Sequence, residues 1–525
     1  MILIEQLIAQ NVRDFFLAPG SRSTPLAIAL ARSPEVRLHR HFDERGLAFS
    51  AAGFGLGREA PAALVVTSGT AVGNLTPAIM EAHHASIPLI ILTADRPLEL
   101  RETSANQTTD QSKIFQNFIR WQCEIDLSMP ASAIRSKAAQ AVFRAQFPHP
   151  GPVHINCPFR EPLYDEKITL SQREPIQLST AASTSCAQRT LPSRGLCIIG
   201  RLPKRSDLEA ILAFAKKAQW PVFADILSNA RGSKSEEQID HYDWLFGRSP
   251  PTPECVVHFG ERPLSKRLME WLTAHPPKNY IHISSHAHWV DPSALVTERI
   301  MAPVPAAAES FDATPDPTWL PIWKNHNRLP IIDSSFTETS AMRTLSELPL
   351  QDWAIFLGNS MPIREADWFL FPASCNAFFA NRGLSGIDGN IATMHGLTLG
   401  LNGPVLGILG DVTALHDLNS LAFLRNSAHP IILLISNNNG CGIFSHLSVA
   451  PDPHFETLFG FPHGLQFKQV AQMFQLPYAA VDTNQGLEAA MRTAMADKKS
   501  WVIEMHTCRK NNHAQHKTMK LQSQF

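Results

Sequence analysis

The sequence has no C-x-x-C pair. Its eight cysteines, at positions 123, 157, 186, 197, 255, 375, 441 and 508, are scattered singly. That spacing argues against a zinc site and a disulfide scaffold, and fits thiols kept reduced in a cytoplasmic protein. Charge of one sign is missing too. Lys and Arg number 46 against 47 Asp and Glu, a net charge of −1, so nothing draws the chain to nucleic acid or an anionic membrane. No apolar run approaches the roughly 18 residues of a membrane span. "MILIEQLIAQ" carries Glu5 within its apolar run, with no basic start or small-residue cleavage site. It reads as a first helix and not a signal peptide. A Walker A sequence, a low-complexity tract and a short-period repeat are all lacking.

What is present is a chain of 525 residues, 44% apolar and 18% charged, with room for about three domains. Short apolar runs followed by helical patterns recur, the mark of doubly wound α/β domains with parallel sheets. "AALVVTSG" and "IPLIILTADRP" are buried-strand candidates in the first third. "GLCIIG", "PVFADIL", "ECVVHFG" and "YIHIS" follow in the second, and "DWAIFLGNS", "PVLGILGD" and "PIILLISNNNG" in the last. A Ser/Thr/Gln-rich stretch from 165 to about 193 and the Pro/Ala-rich "APVPAAAESFDATPDPTWLP" read as linkers. The expected domains are therefore 1–170, 185–325 and 340–525. The basic tail "RKNNHAQHKTMKLQSQF" reads as a frayed terminus.

The most informative segment runs from 405 to 444. Strand "VLGILG" ends at Asp411, a helix with Leu418, Leu421 and Ala422 on one face follows, and strand "IILLIS" ends at "NNNG". A right-handed crossover puts both strand ends on one edge of a sheet, where α/β folds bind ligands. Asp411 and Asn438, 27 positions apart, can then converge. With a backbone carbonyl they make a hard oxygen half-shell suited to Mg²⁺ completed by phosphate oxygens. The same residues also suit two ordinary polar turns. "NNNGCGIF" offers only G-x-G, which is weak support for a dinucleotide fold.

A second stretch, "HFDERGLAFSAAGFGLG", places Asp43, Glu44 and Arg45 before a tract of small and apolar residues. That tract reads as a helix against which something packs closely. Helix capping alone would account for the acids. His39 and His41 have no third ligand nearby and read as a strand-end pair of polar groups.

"GD", some 27 residues and "NN" together resemble the thiamine-diphosphate motif, with Val412 where Gly is usual after GD. "APGSRSTPLAIAL", "HFDERG", "TSGTAVGNL", "LTADRPLELRETSANQ", "NRGLSGIDG" and "NNNGCGIF" narrow the match. As a set they resemble the 2-succinyl-5-enolpyruvyl-6-hydroxy-3-cyclohexene-1-carboxylate synthase family of menaquinone biosynthesis. The likeness is strongest in the outer thirds.

The resemblance implies three α/β domains of the thiamine-diphosphate enzyme type: pyrimidine-binding, central and diphosphate-binding. It implies decarboxylation of 2-oxoglutarate and addition of the succinyl unit to isochorismate. The cofactors implied are thiamine diphosphate with Mg²⁺ or Mn²⁺. Asp411, Asn438 and Gly440 match the metal positions, and Gly410, Thr413, Ala414, Asn438, Glu44 and Ile387 the cofactor positions. Glu44 would bond the pyrimidine N1′, Ile387 would support the bent cofactor, and Gln107 would orient the acceptor. Ser21, Arg22, Arg96, Asn106, Gln107, Ser360, Arg364, Arg382, Ile443 and Phe444 fall on substrate positions, with Lys266 and Arg267 as further candidates from the central third. Both substrates are dianions, and Arg suits carboxylates because its planar fork donates two bonds. The resemblance also implies a homo-oligomer whose site is shared by two subunits, with the helix from Gly46 to Gly57 as a subunit contact. Two alternatives stay open: another thiamine-diphosphate-dependent lyase, of the acetohydroxyacid synthase or 2-oxoacid decarboxylase type, and a catalytically silent cofactor-binding protein.

Overall fold

The computed structural model describes residues 1–522 apart from 127, 167–170, 172, 179–185, 234 and 249. Much of the expected first linker thus lies outside the described residues. Three parallel sheets succeed one another along the chain, as the alternating apolar runs predict. The first comprises β1 (Asp14–Leu17), β2 (Arg37–Arg40), β3 (Ala62–Val66), β4 (Leu89–Asp95), β5 (Trp121–Glu124) and β6 (Pro152–Pro158), in the order β2-β1-β3-β4-β6-β5.

Next come β7 (Arg189–Leu191), β8 (Gly195–Ile199), β9 (Val222–Ala224), β10 (Cys255–Phe259), β11 (Asn279–Ser284), β12 (Glu298–Met301) and β13 (Phe311–Ala313). Five of them form the central sheet, β12-β11-β10-β8-β9, and β13 pairs with β7. The last sheet holds β14 (Ala354–Leu357), β15 (Ala377–Phe379), β16 (Val405–Gly410), β17 (Ile431–Asn437), β18 (Tyr478–Val481) and β19 (Trp501–His506), ordered β15-β14-β16-β17-β19-β18. The first and last sheets therefore have the same winding. No repeat announces this in the sequence, because a fold constrains burial and not residue identity.

In each of these two units a helix follows the edge strand: Glu44–Arg58 after β2, and Asn390–Leu401 after β15. The two helices pack on each other within the same chain. A Cβ at Gly53 would collide with the Thr393 carbonyl, and one at Gly396 with the Ser50 carbonyl. The helix from Gly46 to Gly57 is thus not explained by a subunit contact; its small residues serve an approach of two backbones inside one chain. His41 adds to the same seam. Its ring stacks on Phe423 at 4.0 Å, and His395 stacks on Phe423 at 4.2 Å. Apolar side chains of both units, among them Leu47, Phe54, Phe356 and Leu433, form one continuous core.

Three local expectations change. The Pro/Ala-rich stretch is not a linker: the helix Val304–Glu309 and β13 lie within it, with Val304, Ala307, Ala308 and Phe311 buried in the central core. The segment after Asp411 is not one helix but Asp411–His416, a 3₁₀ turn Leu418–Ser420 and a short helix Leu421–Arg425. Asp417 breaks it, its carboxylate accepting the Ala392 N–H at 3.0 Å and the Ser420 hydroxyl at 2.7 Å. The C-terminal tail is a docked helix, Arg509–Gln522, with Asn512, Gln515, His516 and Met519 buried. Its burial-competent residues recur at helical spacing beneath a basic, polar composition. Among the described residues no helix is long and apolar enough to cross a membrane.

Candidate active site

Asp411 follows β16 and Asn438 follows β17, parallel neighbours in register. Both residues line one cavity at this sheet edge. Asp411 Oδ1 accepts the Val412 N–H at 2.7 Å, and Oδ2 accepts the Gly440 N–H at 2.9 Å. His463 Nε2 lies 3.1 Å from the same Oδ2. Asp411 is 2% exposed, and burial pushes its pKa up against these hydrogen bonds. Gly440 sits at φ +136°, where a side chain is strained, and a Cβ there would strike the Gly460 carbonyl.

Asn438 Nδ2 donates to Glu338 Oε1 at 2.6 Å, whereas Asn438 Oδ1 is buried with no hydrogen-bond partner. An amide oxygen left unpaired in the interior costs free energy unless something occupies it. Glu338 itself is buried beside Glu365, and burial together with that second carboxyl pushes its pKa up to about 7.

These groups line a cavity of about 340 Å³. Ser360, Arg364, Arg382, Ile387, Gly410, Thr413, Gly440, Ile443 and Phe444 share its wall with Asp411 and Asn438. Ala414 instead turns its methyl group into the core. Arg364 donates to the Ser360 carbonyl, and Arg382 Nη1 donates to Asn359 Oδ1 at 2.9 Å. Burial lowers the pKa of both guanidinium groups, yet arginine keeps its charge. The cavity can hold an anionic ligand and a hard cation side by side.

A second group gathers at the corresponding edge of the first sheet. Arg96 follows β4; it donates to the Ser68 hydroxyl and, at 2.9 Å, to the Gln107 carbonyl. The Gln107 side chain donates to the Ser68 carbonyl at 2.8 Å. Arg22 is buried and donates to the Phe159 carbonyl at 3.0 Å. Ser21 and Asn106 are exposed nearby in sequence. Glu44 opens its helix but does not cap it: Asp43 accepts the Arg45 and Gly46 N–H groups. Glu44 is half-buried and accepts from Asn74 Nδ2 at 3.3 Å. None of this group lines the cavity of Asp411.

Lys266 and Arg267 join neither group. Lys266 is exposed and pairs with Glu270 one helical turn on, at 3.2 Å. Arg267 faces Asp243 at 3.4 Å, with its guanidinium over Trp244 at 4.8 Å. Arg267 also lies over Trp368 of the last unit, at 5.9 Å. Sequence reading missed Glu338 and His463. Glu338 lies in the first turn of a helix capped by Thr337, where an acid is ordinary, and no local signal marks it.

The twice-wound parallel fold is that of a thiamine pyrophosphate enzyme, and the chain belongs to that class. Family models agree: the N-terminal TPP-binding domain of thiamine pyrophosphate enzymes matches residues 1–114, their middle domain 162–357, and their C-terminal TPP-binding domain 368–505. A solved X-ray structure of a protein from Mycobacterium smegmatis aligns with a TM-score of 0.76 over 97% of this chain and 98% of that one. At 18% identity it speaks for the fold alone. Within this class the chain belongs to the 2-succinyl-5-enolpyruvyl-6-hydroxy-3-cyclohexene-1-carboxylate synthase family. It is 37% identical to the synthase of Rubrobacter xylanophilus, over 99% of this chain and 96% of that protein. It is 35% identical to that of Salinibacter ruber, over 98% and 94%, and 35% identical to that of Bacillus velezensis, over 96% and 94%.

Proposed function

We propose that the chain decarboxylates 2-oxoglutarate and adds the succinyl unit to isochorismate, giving 2-succinyl-5-enolpyruvyl-6-hydroxy-3-cyclohexene-1-carboxylate. The observation that carries this reading is the unpaired Asn438 Oδ1 beside Asp411, in a cavity that also holds Arg364 and Arg382. That donor set fits a divalent cation and a diphosphate. Asp411, Asn438 and the Gly440 carbonyl would hold Mg²⁺ or Mn²⁺, and Gly410, Thr413 and Ala414 would meet the diphosphate through their backbones. Thiamine diphosphate, when bound, supplies the electron sink that decarboxylation of a 2-oxoacid requires.

The chain's own residues do the rest. Ile387 supports the cofactor from the cavity wall. Glu44 holds a proton at the pyrimidine N1′; a cap role is redundant, since Asp43 already fills it. Arg364 and Arg382 bind donor carboxylates by charge-assisted hydrogen bonds. Ser360, Ile443 and Phe444 shape the same wall. Arg22 and Arg96 bind acceptor carboxylates, with Ser21 and Asn106 at the rim, and Gln107 orients the acceptor. A second copy of the chain brings this N-terminal group across to the Asp411 cavity. The separation of the two groups within one chain supports a homo-oligomer with shared sites. The eight cysteines are free thiols, as suits a cytoplasmic enzyme.

The test is product analysis with 2-oxoglutarate, isochorismate, thiamine diphosphate and Mg²⁺ together. Formation of the succinylated cyclohexene carboxylate is expected. Succinic semialdehyde alone would favour a simple decarboxylase, and no turnover would favour a cofactor-binding protein.

A further inference from the structure

We infer that Glu338 is a positioning residue that fixes which end of the Asn438 amide faces the cavity. The inference rests on the metal reading of Asp411 and Asn438. The two ends of an asparagine amide have nearly the same shape and opposite chemistry: one accepts and the other donates. A cation beside Asn438 needs the oxygen. Packing alone does not select it, so a chemical selector is required.

Glu338 is that selector. It lies 2% exposed at the back of the cavity. Among the described residues, each hydrogen bond to its carboxyl oxygens comes from a group able to donate. Asn438 Nδ2 lies at 2.6 Å and the Thr507 hydroxyl at 3.4 Å from Oε1, and Asn512 Nδ2 at 3.5 Å from Oε2. Oε1 is the oxygen that meets Asn438, and with Oε1 accepting, whether or not Oε2 carries a proton, Glu338 takes the NH₂ end of Asn438 and turns Oδ1 toward the cavity. The reversed amide would set oxygen against oxygen at the back and N–H groups against a cation at the front. Ligands of this kind commonly depend on such outer partners.

The support extends one layer further. Asn512, on the C-terminal helix, also donates to Glu365 Oε1 at 2.9 Å, and His516 Nε2 lies 2.6 Å from the same oxygen. Thr339 donates to Glu365 Oε2 at 3.0 Å. The docked tail therefore holds the carboxylate pair behind the metal ligand.

The test measures Mn²⁺ binding to the full-length protein by electron paramagnetic resonance, with saturating thiamine diphosphate. Glu338→Gln keeps size and shape but presents either end of an amide to Asn438. It should weaken Mn²⁺ binding by roughly tenfold to a hundredfold, the usual effect of losing an outer partner. The same substitution is then made in an Asn438→Asp background. A carboxylate at 438 offers oxygen whichever way it turns, and the amide introduced by Glu338→Gln can donate to it. There the substitution should cost at most about twofold, a non-additivity that general destabilisation would not produce. Unchanged Mn²⁺ affinity in Glu338→Gln overturns the inference, and so does an equal loss in both backgrounds. Asp411→Ala separates the two levels. If it too leaves Mn²⁺ binding unchanged, the metal reading itself falls.

Discussion

The Glu81 carboxylate, on the helix Thr76–His84 of the first unit, accepts two backbone N–H groups from the last unit: Gly383 at 2.6 Å and Leu384 at 2.7 Å. Those amides belong to the loop that carries Arg382 at one end and Ile387 at the other. A Cβ on Gly383 would stand 2.5 Å from the Glu81 carbonyl, so the loop is seated directly on the helix. Arg382 should therefore depend on a residue some 300 positions away in sequence.

Arg382→Ala is expected to lower kcat/KM for 2-oxoglutarate far more than for the monoanion pyruvate, because each lost charge-assisted bond is worth roughly 1.5–3 kcal/mol. Glu81→Gln replaces one acceptor oxygen with a donor and should reproduce the same selective loss in milder form. Steady-state kinetics on both donors check this. Equal losses on the two donors would mean general damage instead.

Glu44→Gln should keep cofactor binding and lose on the order of 10²- to 10⁴-fold in turnover, as expected when assistance to proton transfer is removed. Exchange of the C2 proton on added thiamine diphosphate should slow in parallel, read by NMR after acid quench. Normal exchange would remove Glu44 from the reaction.

Mixing two dead variants tests the shared site. In a dimer of one Glu44→Gln chain and one Asp411→Ala chain, one site takes both lesions and the other takes none. Random reassembly of equal amounts should restore up to about a quarter of wild-type activity in two-fold dimers. A mixture that stays dead after verified subunit exchange would place each site within one chain.

His395 makes a pH prediction. It is buried in the seam between the two outer units, with Ser50 Oγ 2.8 Å from its Nδ1. Burial, with minor help from His39 and His41, pushes its pKa down to about 3. The unfolded chain takes up a proton near pH 6.5 while the folded ring stays neutral. Its contribution is therefore intact at pH 7 and is lost as pH falls from 6.5 toward 3, at about 1.4 kcal/mol per pH unit. His395→Phe should flatten the acid side of the stability profile by that slope. Urea unfolding at pH 7, 6 and 5 measures it, and parallel profiles for the two proteins would contradict it.

The α/β fold was readable because buried parallel strands are apolar runs ending in polar loops, as at "VLGILGD" and "IILLISNNNG". The approach of Asp411 to Asn438 was readable because a crossover forces neighbouring strand ends together. Other features carry no local mark. The Gly46–Gly57 tract announces a close neighbour without saying that the neighbour is Thr393 of the same chain. Asn512 and His516 sit in a basic, polar tail whose composition hides the face it buries. Lys266 and Arg267 stood apart as further candidates because the central third matches the family poorly, and nothing in the sequence says that Arg267 turns to Asp243 and Trp244 and Lys266 to Glu270. Glu338 becomes visible only when the fold brings position 338 against position 438.

The matched winding of the first and last sheets has a consequence for how chemistry was shared out. The same three strand ends are used twice. After β1 stand Ser21 and Arg22, after β3 Ser68, and after β4 Arg96; after β14 stands Ser360, after β16 Asp411, and after β17 Asn438. At these corners one copy of the scaffold carries guanidinium and hydroxyl groups, the other a hydroxyl, a carboxylate and an amide. A single winding in this way sets two different groups of polar side chains at the same place in its two copies.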